Sequence, residues 1–211
     1  MSAATLSDTA YEKMRDDITS GRIPGETVLS ERALTETLGV SRTPLRVALS
    51  RLEKEGMIDR LNNGVVLVRS VSVEQLLQIL HLRRQLETAA ARRAARNGQT
   101  APLKASRDRM QALAEGTEVT FDAFWQDDGA FHRAVAEAAG LTILPAILDE
   151  QRGIARRSAL TRANDSFVVQ AAEHVAIADA ITARDEEAAA TLMADHFENV
   201  RARFLGSFTG T

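Results

Sequence analysis

Residues 29–52 read LSERALTETLGVSRTPLRVALSRL, and the fold turns on how this stretch is divided. Ser30 suits the N-cap of a short helix over Glu31 to Leu38, and Gly39 ends that helix. Ser41 can cap a second helix, with Pro44 in its first turn, where a missing N–H costs little. Leu45, Ala48, Leu49 and Leu52 recur at i, i+3, i+4 and i+7 and predict a buried stripe. Thr43, Arg46 and Ser50 then stand on the opposite side, and Arg42 projects from the helix start. From Thr37 to Leu52 there are three arginines and no acid. Two short helices at a tight turn, the second basic on its outer face, predict a helix-turn-helix. In such a pair the N-terminal part of the second helix enters the major groove of DNA.

The flanks complete this reading. Tyr11, Met14 and Ile18 predict a helix over about Thr9 to Ser20, stopped by Gly21, with Ile23, Pro24 and Gly25 forming a turn. Val28 and Leu29 suffice for no more than a short strand. Gly56 closes the second helix of the pair, and the apolar runs Met57 to Arg60 and Val65 to Val68 around Asn62, Asn63 and Gly64 predict a two-stranded wing. After a linker at about Arg69 to Val71, Ser72 and Gln75 have the spacing of a capping box. Beyond it the pattern predicts six helices, broken near Asn97 to Thr100, Gly116 to Glu118, Gly140 and Leu141, Thr161 to Asp165, and Arg184 to Asp185. The expected architecture is mainly α: a winged helix-turn-helix over residues 1–70 and an all-helical bundle over residues 71–211.

Composition narrows the chemistry. The absence of cysteine among the 211 residues excludes disulfides, thiolate metal sites and cysteine nucleophiles, and suits a reducing, cytoplasmic setting. No apolar run is long enough for a bilayer span, so no membrane role is expected. The net charge of −3 hides an asymmetry. Residues 1–70 carry ten basic and ten acidic side chains, leaving sixteen and nineteen for the rest, so the acid excess lies wholly outside the basic helix pair.

In the second domain, a helix over about Phe121 to Ala139 aligns Trp125, Asp128, His132, Val135, Ala136 and Ala139. A carboxylate and an imidazole one turn apart thus interrupt an apolar stripe. A buried carboxylate without a partner is costly, and a metal ion is one such partner. Asp127 is the rival to Asp128, but only Asp128 lies one turn from His132. His174 shares a face with Ile177, Ala178 and Ile181, and His196 with Leu192, Met193 and Val200, so both also point toward a core. Oxygen and imidazole donors suit Zn, Ni, Mn or Fe; for each histidine alone, a hydrogen-bonded core residue is the competing reading. Arg83 and Glu87 share a face with Leu76, Leu80, Ala90 and Ala94, as an i, i+4 ion pair or as a fork for a ligand carboxylate. His81 falls outside these patterns and is expected at the surface.

The segments Ser30-Glu31-Arg32, Gly39-Val40-Ser41-Arg42-Thr43-Pro44-Leu45-Arg46-Val47-Ala48-Leu49 and Leu52-Glu53-Lys54-Glu55-Gly56-Met57-Ile58, with Gly21-Arg22-Ile23-Pro24-Gly25 before them, resemble the GntR family of bacterial transcription regulators over residues 6–69. The remainder resembles the FCD ligand-binding domain of the FadR-like subfamily, in its shorter VanR-type branch. The carrying features are Asp128-x3-His132, Glu173-His174 and His196, set in Phe131-His132, Glu173-His174-x2-Ile177-x3-Ile181 and Ala183-Arg184-Asp185, together with Arg83-x3-Glu87.

The resemblance implies a winged-helix DNA reader in which Arg32, Arg42, Thr43 and Arg46 contact an operator, with Ser41 at the helix start and Asn63 and Gly64 at the wing. The chain has Gly64-Val65 where the family often has a basic residue followed by Gly, and Leu141 where it has Asn. The resemblance further implies a divalent metal held by Asp128, His132, His174 and His196, Zn first and Ni, Mn or Fe after it, with Arg83 binding a small carboxylate metabolite. The expected protein is a homodimeric, ligand-responsive regulator of a pseudo-palindromic operator, a repressor by family habit and not an enzyme. Two alternatives stand beside it, a helical metalloenzyme and a regulator whose metal is purely structural. Against the enzyme, the chain has no HExxH, no Gly-rich phosphate loop and no serine nucleophile motif.

Overall fold

A computed structural model describes residues 5–158 and 166–209, excluding the side chains of 207–209. The chain divides into two compact units, the first comprising residues 5–72 and 156–158, the second residues 73–155 and 166–209.

In the first unit, helix α1 (Leu6–Thr19) is followed by strand β1 (Val28–Ser30), helices α2 (Glu31–Leu38) and α3 (Arg42–Lys54), and strands β2 (Ile58–Arg60) and β3 (Val65–Val68). Helix α1 begins a little earlier than the periodicity predicts because Thr5 and Asp8 form a reciprocal capping box. Tyr11, Met14 and Ile18 of α1 join Leu45, Leu49 and Leu52 of α3 in one core, which also takes in Ile58, Val66 and Val68 from the strands. Ser30 caps α2 by accepting from the Ala33 N–H at 3.1 Å, and Gly39 ends it at φ 67, a left-handed conformation that glycine adopts without strain.

The wing is larger than expected. The expected two-stranded hairpin is a three-stranded antiparallel sheet in the order β1-β3-β2, with Leu29 opposite Val66 and Asp59 opposite Leu67. Three residues form too short a strand to be stable alone, but β3 offers β1 a free edge. Gly25, in the approach to β1, has no room for a side chain, since a Cβ there would lie 2.8 Å from the Ser70 Cα. That close approach is the physical reason for glycine in the opening turn.

Six helices make up the second unit among the described residues: α4 (Val73–Asn97), α5 (Ala101–Ala114), α6 (Phe121–Ala138), α7 (Leu144–Arg156), α8 (Phe167–Thr182) and α9 (Glu186–Thr209). The interruptions fall where the sequence places them, except that the one expected at Thr161 to Asp165 lies outside the described residues. Helix α4 packs against α6, α8 and α9, and its buried Ala90, Ala91, Ala94 and Ala95 let those helices approach closely. Thr120 caps α6 by accepting from Ala123 N–H, which fixes where that helix starts and which residues turn toward α4.

Candidate metal centre and DNA-reading face

The polar residues of the helical unit converge where α4, α6, α8 and α9 meet. His132 from α6, His174 from α8 and His196 from α9 are all buried, and one ring nitrogen from each lies within 4.8 Å of the others. His174 Nε2 is 3.4 Å from His196 Nε2 and 3.5 Å from Asp128 Oδ1; His132 Nε2 is 3.7 Å from the same oxygen.

Two of the rings are oriented from behind. His132 Nδ1 bonds to Glu87 Oε2, and His196 Nδ1 bonds to Glu173 Oε2 at 2.6 Å. An ionised carboxylate only accepts, so each Nδ1 carries a proton and each ring is turned with its Nε2 toward the cluster. Glu87 is itself held by Arg83 Nε at 2.8 Å, and Glu173 by Arg203 at 2.9 and 3.1 Å and by Asn199 at 3.0 Å. Burial alone would raise both carboxyls. Arg83 and His132 outweigh it at Glu87, and His196 and Arg203 at Glu173, holding each down to about 2. Burial, helped by neighbouring His196, keeps His174 well below its ordinary value and therefore neutral. His174 stacks on Phe131 at 4.3 Å between ring centres, and its Nδ1 is buried without a hydrogen-bond partner.

Asp128 is divided between two kinds of partner. Its Oδ1 faces the histidines, while Oδ2 takes a short charge-assisted bond from Arg152 Nη1 of α7. Arg152 also donates to the Trp125 carbonyl at 2.7 Å and lies 4.3 Å from the centre of the Trp125 ring. Arg152 escapes sequence reading, since an arginine among Asp149, Glu150 and Gln151 looks like a solvated helix face. Its spacing from the buried Leu144, Leu148 and Ala155 was the available signal. Asp127, the alternative to Asp128, points away and pairs with Arg109 at 2.8 Å; His81 is exposed.

Beside the cluster lies a cavity of about 50 Å³, room for a water or two, bordered by Arg83, Asp128, His132, Arg152 and His196 on its polar side and by Phe124, Trp125 and Phe167 among its apolar walls. Arg83 borders it, and the buried Nη2 of that guanidinium has no hydrogen-bond partner among the described residues. The buried guanidiniums of Arg83 and Arg152 balance the carboxylates of Glu87 and Asp128, so these four charges nearly cancel beside the histidine cluster.

On the first unit, Arg32, Ser41, Arg42, Thr43 and Arg46 are all exposed along the start of α3 and the facing side of α2. Ser41 occupies the N-cap position of α3, yet its side chain makes no capping bond. Arg32 rests loosely on Glu36 at 3.5 Å, and Arg46 is held by Glu31 at 3.0 Å. Asn63 and Gly64 form the tip of the wing with consecutive left-handed backbones, φ 64 and 73.

A three-helix core with a winged sheet, followed by an all-helical unit with a histidine cluster beside a cavity, is the architecture of a bacterial transcription regulator. Residues 6–68 match the family described as bacterial regulatory proteins, gntR family, and residues 78–199 match the FCD domain. The chain belongs to the GntR family of transcription regulators, in the group that carries a C-terminal FCD domain. It is 30% identical over 192 residues to the Nta operon transcriptional regulator of Aminobacter aminovorans, covering 88% of this chain and 90% of that protein. It is 28% identical over 197 residues to a probable D-xylose utilization operon transcriptional repressor of Paenarthrobacter nicotinovorans, covering 89% and 85%. Among solved structures, E. coli McbR/YncC superposes with a TM-score of 0.72 at 19% identity, covering 98% of this chain and all of that one, and shares the fold. No helix among the described residues is long and apolar enough to cross a membrane.

Proposed function

We propose that the chain is a ligand-responsive repressor whose helical domain binds a divalent metal and, beside it, a small carboxylate that sets affinity for an operator. The observation carrying this reading is the pair of carboxylate-backed histidines, His132 on Glu87 and His196 on Glu173, with His174 closing the cluster. Histidines buried only to fill a core do not need their Nδ1 protons fixed by two carboxylates, one fully buried at Glu87 and one partly buried at Glu173. Ligands of a metal do, because that bond sets the tautomer and raises the basicity of Nε2. The donor set fits: His132, His174 and His196 would hold the ion, with Asp128 as the oxygen donor beside them.

The metal would supply concentrated positive charge. Since Arg83 and Arg152 are already balanced by Glu87 and Asp128, an added divalent ion leaves an excess that an anionic ligand offsets. The unpartnered Nη2 of Arg83 is the chain's own donor for such a ligand. On the DNA side, Arg42, Thr43 and Arg46 read the major groove from α3, Ser41 and Arg32 contact the backbone beside it, and the wing tip at Asn63 and Gly64 meets the adjacent groove. Two copies in a homodimer read a pseudo-palindromic site, and the carboxylate changes affinity by favouring one arrangement of the paired reading heads.

The test measures metal and DNA together. Elemental analysis of the full-length protein is expected to find one divalent ion per chain, and the His174→Ala, His196→Ala double variant none. Footprinting across a panel of small carboxylates should show operator release only in the loaded wild type. An ion retained by the double variant, or a carboxylate response that persists without metal, overturns the proposal.

A further inference from the structure

Glu31 stands at the first position of α2 with its side chain about nine-tenths buried, at the edge of the surface that carries Arg32, Arg42 and Arg46. Its two oxygens go to two different elements. Oε2 accepts from Arg46 Nε on α3 at 3.0 Å, and Oε1 accepts from Arg60 Nη2 on β2 at 3.1 Å. The wing tip passes beside the same side chain, with room for a Cβ on Gly64 at an ordinary 3.8 Å from the Cβ, Cγ and Cδ of Glu31. One carboxylate therefore joins the first helix of the pair, the second helix and the strand leading to the wing.

We infer that Glu31 is a positioning residue for DNA reading: it holds Arg46 by Nε alone, so that the guanidinium presents its two terminal nitrogens outward, and it ties that presentation to the wing through Arg60. The inference rests on the reading of Arg46 as a base-reading residue. An arginine recognises guanine by two parallel hydrogen bonds to O6 and N7, and this discriminates only if the fork arrives in a fixed plane. A free arginine side chain carries considerable rotamer entropy that binding must remove. Among the described residues the one side-chain hydrogen bond of Arg46 is that to Glu31, and the side chain is 59% exposed, so its outer face is available while its inner nitrogen is anchored. A carboxylate near phosphate also lowers affinity for every sequence alike. Glu31 thus exchanges non-specific attraction for discrimination, which is why an acid belongs on a DNA-facing surface at all.

The experiment uses full-length protein and an operator selected by the wild type from a random duplex library. Affinities for that operator and for unrelated duplex are measured across a salt series, for wild type, Glu31→Gln, Glu31→Asp, Arg60→Met and Arg46→Ala. Glu31→Gln is expected to lower the ratio of specific to non-specific affinity by about tenfold while non-specific binding rises. Glu31→Asp should restore part of the ratio by restoring the charge. Arg60→Met, which leaves the carboxylate in place and frees the wing side of the clamp, should show a smaller loss and remains informative if Glu31→Gln does not fold. An unchanged ratio in folded Glu31→Gln, or in Arg60→Met where the first is unfolded, overturns the inference. If Arg46→Ala lowers the ratio and neither clamp variant does, the positioning role fails while the reading of Arg46 stands. If Arg46→Ala itself leaves the ratio unchanged, the reading beneath the inference fails.

Discussion

Glu173 Oε2 accepts from His196 Nδ1 at 2.6 Å across two helices, and the same carboxylate is gripped from its outer side by both terminal nitrogens of Arg203. The carboxylate is therefore held twice, and the imidazole has one orientation available to it. Replacing Glu173 with Gln removes the charge while leaving the side chain's size. We expect metal affinity to fall by roughly 10–100-fold, the usual effect of losing such a backing partner. Competition with a chelator of known affinity measures it, and equal affinities would show that Glu173 does not orient a ligand.

Acid should unfold the helical unit through the same residue. The Glu173 carboxyl is held at about 2 in the folded chain against an ordinary value of 4.5. A depressed folded value means that the unfolded chain takes up the proton first. The stabilisation is therefore complete above about pH 4.5 and is lost as pH falls toward 2. Glu87 behaves in the same direction over the same window. On metal-free protein, melting temperature should drop between those limits, and Glu173→Gln should flatten the profile. Parallel profiles would count against the assignment.

The pair Asp128 and Arg152 is buried on both sides, so removing one partner strands the other. Asp128→Ala is expected to cost about 3–5 kcal/mol by denaturant unfolding. Adding Arg152→Leu should recover much of that loss, because a well-packed apolar pair avoids the stranded charge. A double variant as unstable as the single would mean that the cost lies in packing around Trp125 instead.

Arg46→Ala should cost about 1–3 kcal/mol of discrimination between the operator and a copy altered at one base pair. Competition binding at fixed salt reads this directly. A uniform loss across all sequences would move Arg46 from reading bases to holding phosphate.

Much of the fold was legible because periodicity reports which face of a helix is buried. The stripe Leu45, Ala48, Leu49 and Leu52 and the caps at Ser30 and Gly39 are local, so their outcome follows from neighbouring residues. The third strand of the wing was not legible, since Val28 to Ser30 acquire strand geometry only from β3, nearly forty residues away by the pairing of Val28 with Leu67. His132, His174 and His196 could be placed on inward faces, and the structure brings them together. Arg83 illustrates the boundary: its ion pair with Glu87 is an i, i+4 relationship visible in the sequence, whereas the unpartnered, buried Nη2 of a residue bordering the cavity is not.

The amino-acid order alone was enough for the class of the chain, a winged helix-turn-helix joined to a helical domain, and for the faces on which its polar residues lie. The three-dimensional packing decided the partners. His132 meets Glu87 across 45 residues, Asp128 meets Arg152 across 24, and Glu31 meets Arg60 across 29. A buried charge must find an opposite charge, and its sequence announces that need without naming which helix meets it. Only the geometry of α4, α6, α7, α8 and α9 settles that question in the helical unit, and only the seating of the wing against α2 and α3 settles it at Glu31.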